Sequence, residues 1–191
     1  MSDFLLILFS TVFANNIIIQ HLVGADPALA MQRREQVAID VSFVMVLLLP
    51  LVTLSAYLLH SLVILPLQLD HLWLLILVML ILCLAMLLKI VIRHVSQSLS
   101  DRINDLLPYA GINTTVLGTV LLFLPDNTGI IHAFAYGLGT AFGFGLVLLL
   151  LTAVSERLEG AEAPSPFRGM PLHLITLAIV AMAFQGFAGI F

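Results

Sequence analysis

Ala14-Asn15-Asn16-Ile17-Ile18-Ile19-Gln20-His21-Leu22-Val23-Gly24-Ala25-Asp26-Pro27 closes an apolar segment of membrane-crossing length with a cluster of amides, a histidine, a glycine, an aspartate and a proline. Backbone and side-chain polar groups that stay unsatisfied in hydrocarbon cost several kcal/mol each, so such a cluster faces protein, water or a cofactor rather than lipid. The reading of this break decides how the rest of the chain is organised.

Composition sets the class. Of 191 residues, 61% are hydrophobic and 9% charged, with a mean hydropathy of +1.16; soluble domains carry about 25% charged residues. The chain reads as an all-α integral membrane protein forming a single domain over residues 1–191. Net charge is −4 and the acids lie mostly at segment ends, which leaves no basis for a nucleic-acid partner. Cys83, the one cysteine, excludes an intramolecular disulfide and lies in an apolar run, where packing is its ordinary role.

Working outward from the break, six segments approach the ~20 residues that a crossing helix needs. They run from about Phe4 to Val23, Val37 to Leu59, Leu72 to Ile92, Leu106 to Leu124, Ile130 to Val154 and Pro171 to Phe191. The first has neither a basic leader nor a small-residue cleavage site before the break, so it is expected to be a retained helix. Trp73 at one end of the third segment and Lys89 and Arg93 at the other are interface anchors by type.

The seven Lys and Arg residues are Arg33, Arg34, Lys89, Arg93, Arg102, Arg157 and Arg168, and all fall in or near the connections after the first, third and fifth segments. Connections around Leu65–Asp70 and Pro125–Asn127 have none. The positive-inside rule puts the basic connections in the cytoplasm and both termini on the outer, periplasmic side.

Three crossings per half then invert the second half relative to the first, which allows an inverted three-plus-three repeat. Leu107-Pro108-Tyr109-Ala110-Gly111-Ile112-Asn113-Thr114-Thr115-Val116-Leu117-Gly118 is the counterpart of the opening stretch, because Asn, Thr and Gly again break an apolar run. Interrupted first and fourth helices point to a central site; polar residues serving as interhelical glue are the other reading. In Gly137-Leu138-Gly139-Thr140-Ala141-Phe142-Gly143-Phe144-Gly145, Gly139 and Gly143 share a face that Ala135 continues, which predicts close helix packing rather than a nucleotide loop. His60, His71, His94, His132 and His173 lie near segment ends without metal-ligand spacing, whereas His21 sits inside the break.

No catalytic motif is present: the chain has no Gly-x-Ser-x-Gly, His-Glu-x-x-His, Walker loop or Cys-x-x-Cys. Any redox role therefore belongs to an assembly in which this chain is a non-catalytic subunit. The Ser155–Gly169 connection, charged and Pro-rich, suits either docking to a partner subunit or a solvated link.

Several stretches carry a resemblance. Thr11-Val12-Phe13-Ala14-Asn15-Asn16, Gly24-Ala25-Asp26-Pro27, Leu107-Pro108 through Asn113 to Gly118, Pro166-Phe167-Arg168-Gly169 and Phe184-Gln185-Gly186-Phe187-Ala188-Gly189 resemble the A-type membrane subunits of Rnf ion-translocating electron-transport complexes. They are also similar to the small membrane subunits of the Na+-translocating NADH:quinone oxidoreductase. The resemblance implies a core subunit of a translocase coupling electron transfer between ferredoxin or flavodoxin and NAD to movement of Na+ or H+. It implies an E-type homologous partner of opposite topology, further partners of the B, C, D and G types, and a [2Fe-2S] cluster to which the A-type and E-type chains contribute two cysteines each. Flavins and further Fe–S clusters belong to the partner subunits.

At the family's cysteine positions this chain has Asp26, before the proline of the first break, and Thr114, after the asparagine of the fourth helix. A carboxylate and a neutral hydroxyl are poor replacements for cluster thiolates, so no cofactor is expected from this chain alone. Three readings follow: a structural subunit whose central cofactor is lost, altered or otherwise ligated; a subunit whose break residues Asn15, Asn16, His21, Asp26, Asn113 and Thr114 form an ion or proton path; and a stand-alone small transporter, against which the lack of further charged midplane residues counts.

Overall fold

The computed structural model describes residues 2–21, 23, 35–104, 106–123, 129–159 and 164–187, and these form helices and turns without a strand. Helix α1 (Ser2–Phe9) continues as a π-helical turn, Ser10–Ala14, stops at Asn15 and Asn16, and resumes as α2 (Ile17–His21). Helix α3 (Glu35–Leu59) runs on through a π-helical turn, His60–Ile64, and a helical turn, Leu65–Leu67. After α4 (Trp73–Val95) come the short α5 (Gln97–Ile103), α6 (Leu106–Ile112), α7 (Thr114–Phe123), α8 (Ile130–Glu159) and α9 (Met170–Gln185).

Among the described residues, Glu35–Leu67, Asp70–Val95 and Ile130–Leu158 are three helical stretches long and apolar enough to cross a bilayer. Helices α6 and α7 make a fourth if they are taken as one span bent by 42°. The expected first and last segments are represented by shorter apolar helices, Phe4–Ala14 and Met170–Gln185. Two expected boundaries move. The second segment, expected to stop at Leu59, stays helical to Leu67 because no Gly or Pro lies between Leu59 and Pro66; it ends at Gln68, in the left-handed region at φ 53°. The fifth passes Val154 to Glu159, since Ser155–Glu159 contains good helix formers and no Gly or Pro.

Helix α8 is the axis of the bundle, and its glycines explain why. On one face, Cβ atoms added at Gly137 and Gly145 would crowd α3: 2.9 Å from the Pro50 Cα, and 3.2 Å from the Ser42 Cβ. On the opposite face, additions at Gly139 and Gly143 would crowd α1 and its π-turn: 3.1 Å from the Leu8 carbonyl, and 3.2 Å from that of Thr11. Lipid tails are as apolar as leucine, so van der Waals contact rather than water exclusion drives such pairing, and small residues maximise it. The Gly139/Gly143 face was expected; the Gly137/Ala141/Gly145 face is the additional finding. Pro50, buried within α3, is accommodated beside Gly137, and the Thr53 hydroxyl donates to the Leu49 carbonyl at 2.9 Å.

These contacts also give direction. Ser42 meets Gly145 whereas Pro50 meets Gly137, so α3 and α8 are antiparallel; Leu8 meets Gly139 and Val12 meets Gly143, so α1 and α8 are parallel. Helix α4 returns alongside α3, and His60 of the hairpin sets its ring edge-on to Trp73 at a centroid distance of 5.0 Å. Arg102 of α5 donates to Asp40 near the start of α3 at 2.6 Å. The start of α3, the end of α4 with Lys89 and Arg93, α5, and the end of α8 with Arg157 therefore gather at one end of the bundle. The connections carrying Arg33 and Arg34 and Pro125–Asn127, with part of the Ser155–Gly169 connection, lie outside the described residues.

Gly137→Val is expected to lower stability by about 1–3 kcal/mol through overpacking against Pro50, whereas Leu75→Ile on the exposed face of α4 stays within about 0.5 kcal/mol of the parent. Thermal unfolding of the detergent-solubilised protein followed by circular dichroism checks both.

Candidate functional site: two asparagine-capped helix breaks

A helix that stops inside an apolar bundle leaves carbonyls without donors on one side of the gap and amides without acceptors on the other. At the first gap, side chains meet both needs. Asn16, fully buried, donates its Nδ2 to the Val12 carbonyl at 3.0 Å, and its Oδ1 accepts from the Ile18 amide at 3.1 Å. Gln20 reaches back across the gap to donate to the Ala14 carbonyl. Gly143 of α8 closes the space above Asn16: a Cβ there would stand 2.7 Å from Asn16 Nδ2.

The second gap uses the same device. Asn113, 9% exposed, accepts the Thr115 amide on its Oδ1 at 2.9 Å, and its own carbonyl accepts from Val116 at 3.1 Å. In each case an asparagine is the N-cap of the resumed helix, bonding the amide two residues on, a position for which Asn is among the preferred residues. Thr119 donates to the Thr115 carbonyl at 2.6 Å. The fully buried Thr115 hydroxyl has no hydrogen-bond partner among the described residues.

The resumed helices meet. Gly118 of α7 lies against α2 and the residue beyond it: an added Cβ would be 2.6 Å from Val23 Cγ1 and 3.6 Å from Ile17 Cδ1. The two stretches that match each other in sequence are thus neighbours, capped alike. Of the candidate residues, Asn16 and Asn113 are buried in this arrangement, while Thr114 is exposed on the first turn of α7 and His21 is exposed at the end of α2. Asn15 is exposed too. It donates to Ser10 Oγ at 2.9 Å and, with Leu6, Ile7, Ser10, Thr11 and Tyr136, lines an open cleft of about 420 Å³. Asp26, with Gly24, Ala25 and Pro27, lies outside the described residues.

Sequence reasoning did not assign a role to Gln20, Thr115 or Tyr136, and it placed Gly143 on a packing face without foreseeing that this glycine covers Asn16. For Gln20 a signal existed, since an amide one turn past a helix break can return to its carbonyls; Tyr136 and Thr115 are identified only by neighbours distant in sequence. Among the described residues no group of three or more His, Cys, Asp and Glu side chains could hold a metal ion. Cys83 is exposed on α4.

Asparagine-capped breaks in an apolar helical bundle define a membrane protein with interrupted helices, and comparison with known sequences gives the family. A profile for Rnf-Nqr subunits, membrane proteins, matches residues 4–191, and the chain belongs to that family. It is 34% identical over 190 residues to the A-type subunit of an ion-translocating oxidoreductase complex from Colwellia psychrerythraea, covering 100% of this chain and 98% of the relative. Proteins of the same name from Pseudoalteromonas atlantica and Actinobacillus pleuropneumoniae are 34% and 32% identical, again over 190 residues covering 100% of this chain and 98% of each relative.

Asn113→Ala is expected to cost about 0.5–2 kcal/mol, with Asn113→Ser recovering most of the loss because serine also caps. Asn16→Ser should recover less, since serine replaces the acceptor for Ile18 but not the donor to Val12. Thermal unfolding, with hydrogen exchange at the Thr115 and Ile18 amides, separates these outcomes.

Proposed function

We propose that this chain is a core membrane subunit of an Rnf-type complex that couples electron transfer between ferredoxin or flavodoxin and NAD to translocation of Na+ or H+. The observation that carries this reading is the pair of asparagine-capped breaks whose resumed helices pack at Gly118, in a chain whose family match spans 4–191. In this reading the chain crosses the inner membrane six times as a single domain of two inverted halves, both termini periplasmic, and pairs with an E-type homologue of opposite topology beside B-, C-, D- and G-type subunits. The gathering of Lys89, Arg93, Arg102 and Arg157 at one end of the bundle supports a single cytoplasmic face. A reporter active only in the cytoplasm is expected to be silent at either terminus and active when inserted near Arg157.

The described residues do not fit a thiolate-ligated cluster. Thr114 presents an alcohol at the second break, and the chain's only thiol, Cys83, sits on the exposed face of α4. Asp26, at the other family cysteine position, supplies a carboxylate, a hard ligand poorly suited to iron–sulfur coordination. We therefore assign this copy a structural role in the complex, with redox cofactors held by its partners. The test is iron analysis and electron paramagnetic resonance of the reduced, purified complex. Asp26→Ala and Thr114→Ala are expected to leave any [2Fe-2S] signal unchanged, and loss of such a signal in either variant overturns the assignment.

A second reading, that the break residues serve as an ion or proton path without a cluster, is favoured by the buried hydroxyl of Thr115 beside Asn113, which has no partner among the described residues. Buried polar groups in membrane helices commonly mark such routes. Thr115→Val then lowers ion transport by the complex while leaving its electron transfer intact; in the structural reading it lowers neither.

A further inference from the structure

Helix α4 is the peripheral helix of the bundle. Its inner side, with Leu77, Ile81, Ala85 and Ile92, is buried, and Ala85 lies against Gly111 of α6. Its outer side carries Leu75, Met79, Leu82, Met86 and Ile90, each between 37% and 66% exposed. At 100° per residue these fall within one stripe, and Lys89 and Arg93 complete it at the C-terminal end. From Leu75 to Arg93 the stripe is about 27 Å long at 1.5 Å per residue, close to the ~30 Å hydrocarbon thickness of a bilayer.

Two features say what covers it. Lys89 and Arg93, four residues apart and thus neighbours on the helix surface, form no ion pair or hydrogen bond among the described residues; the Arg102 and Asp40 charges nearby are paired with one another. The stripe also lacks the small residues through which membrane helices approach each other, which this protein uses where α8 meets α1 and α3, where α6 meets α4 and where α7 meets α2. An outer surface of long apolar side chains ending in two unpaired cations complements an anionic amphiphile rather than a second helix. We propose that the C-terminal end of α4 binds an anionic phospholipid, its phosphate between Lys89 and Arg93 and its acyl chains along Met86, Leu82 and Met79. Long basic side chains near a helix end reach toward the headgroup layer while their stems stay in hydrocarbon, which brings both charges to one phosphate.

The proposal needs α4 to lie in a membrane, not the electron chemistry proposed above, so failure of either leaves the other standing. The test uses the chain purified with whatever subunits accompany it, delipidated and exposed to mixed micelles containing phosphatidylglycerol or phosphatidylcholine. Retained lipid is counted by native mass spectrometry. The parent protein is expected to retain phosphatidylglycerol preferentially, and Lys89→Gln with Arg93→Gln to reduce that preference about 30-fold, the loss expected for two interfacial cations. Lys89→Arg retains it. Arg93 is exposed and Lys89 half-buried at the edge of the stripe, and an unchanged circular dichroism spectrum shows that the double variant folds. An unchanged preference in the double variant overturns the proposal, as does displacement of the lipid by millimolar inorganic phosphate. So does release of an accompanying subunit with lipid content unaltered, which marks the stripe as a protein interface.

Discussion

The bundle depends on how a membrane protein satisfies backbone groups where a helix stops. In water the gap would be filled by solvent, but inside an apolar bundle each orphan amide or carbonyl needs a partner from the protein itself. Asn16 serves both sides of its gap at once, donating to Val12 and accepting from Ile18, and Gln20 adds a bond to Ala14. Asn113 repeats the cap at the second gap. With these bonds made, two breaks in apolar segments become defined structures around which the other helices can pack.

That packing in turn holds the caps. Gly143 leaves room for the Asn16 amide and Gly118 leaves room for Ile17 and Val23, so the glycines act at the breaks and not only along smooth helix contacts. Helix α8 can lie between α1 and α3 because its glycines alternate between two faces, Gly139 and Gly143 on one and Gly137 and Gly145 on the other. The π-helical turn Ser10–Ala14 joins the same arrangement, since a widened turn shifts the register of everything that follows and brings Asn16 under Gly143. Phe13, within that turn, stacks near Phe184 and Phe187 and so ties α9 to the broken helix.

Much of the site was legible in the sequence because polarity in an apolar run is conspicuous. Asn16 and Asn113 stand out on that ground, and their burial and bonding give the reason for their presence. Asn15 and His21 stand out by the same rule, yet they face outward, because one-dimensional polarity does not say which side of a helix a residue occupies. The π-turn is one cause: it displaces the facing of Asn15 and Asn16 from that of an ideal helix. Thr115 escaped notice because a threonine within a helix ordinarily bonds its own preceding turn, and only the break removes that option.

Sequence by itself determined the membrane class, the helical content, the polar interruptions near residues 15 and 113, the clustering of basic residues and the family resemblance, all of which rest on composition, local periodicity and residue identity. Tertiary structure decided that the two resumed helices touch at Gly118, that α8 is the axis, that the asparagines act as caps, and that Lys89 and Arg93 stand unpaired among the described residues at the end of an exposed stripe. Those facts depend on which distant residues share a contact. In a chain where nearly every segment is apolar, hydrophobicity does not distinguish one helix face from another; close fit between glycines and their neighbours does.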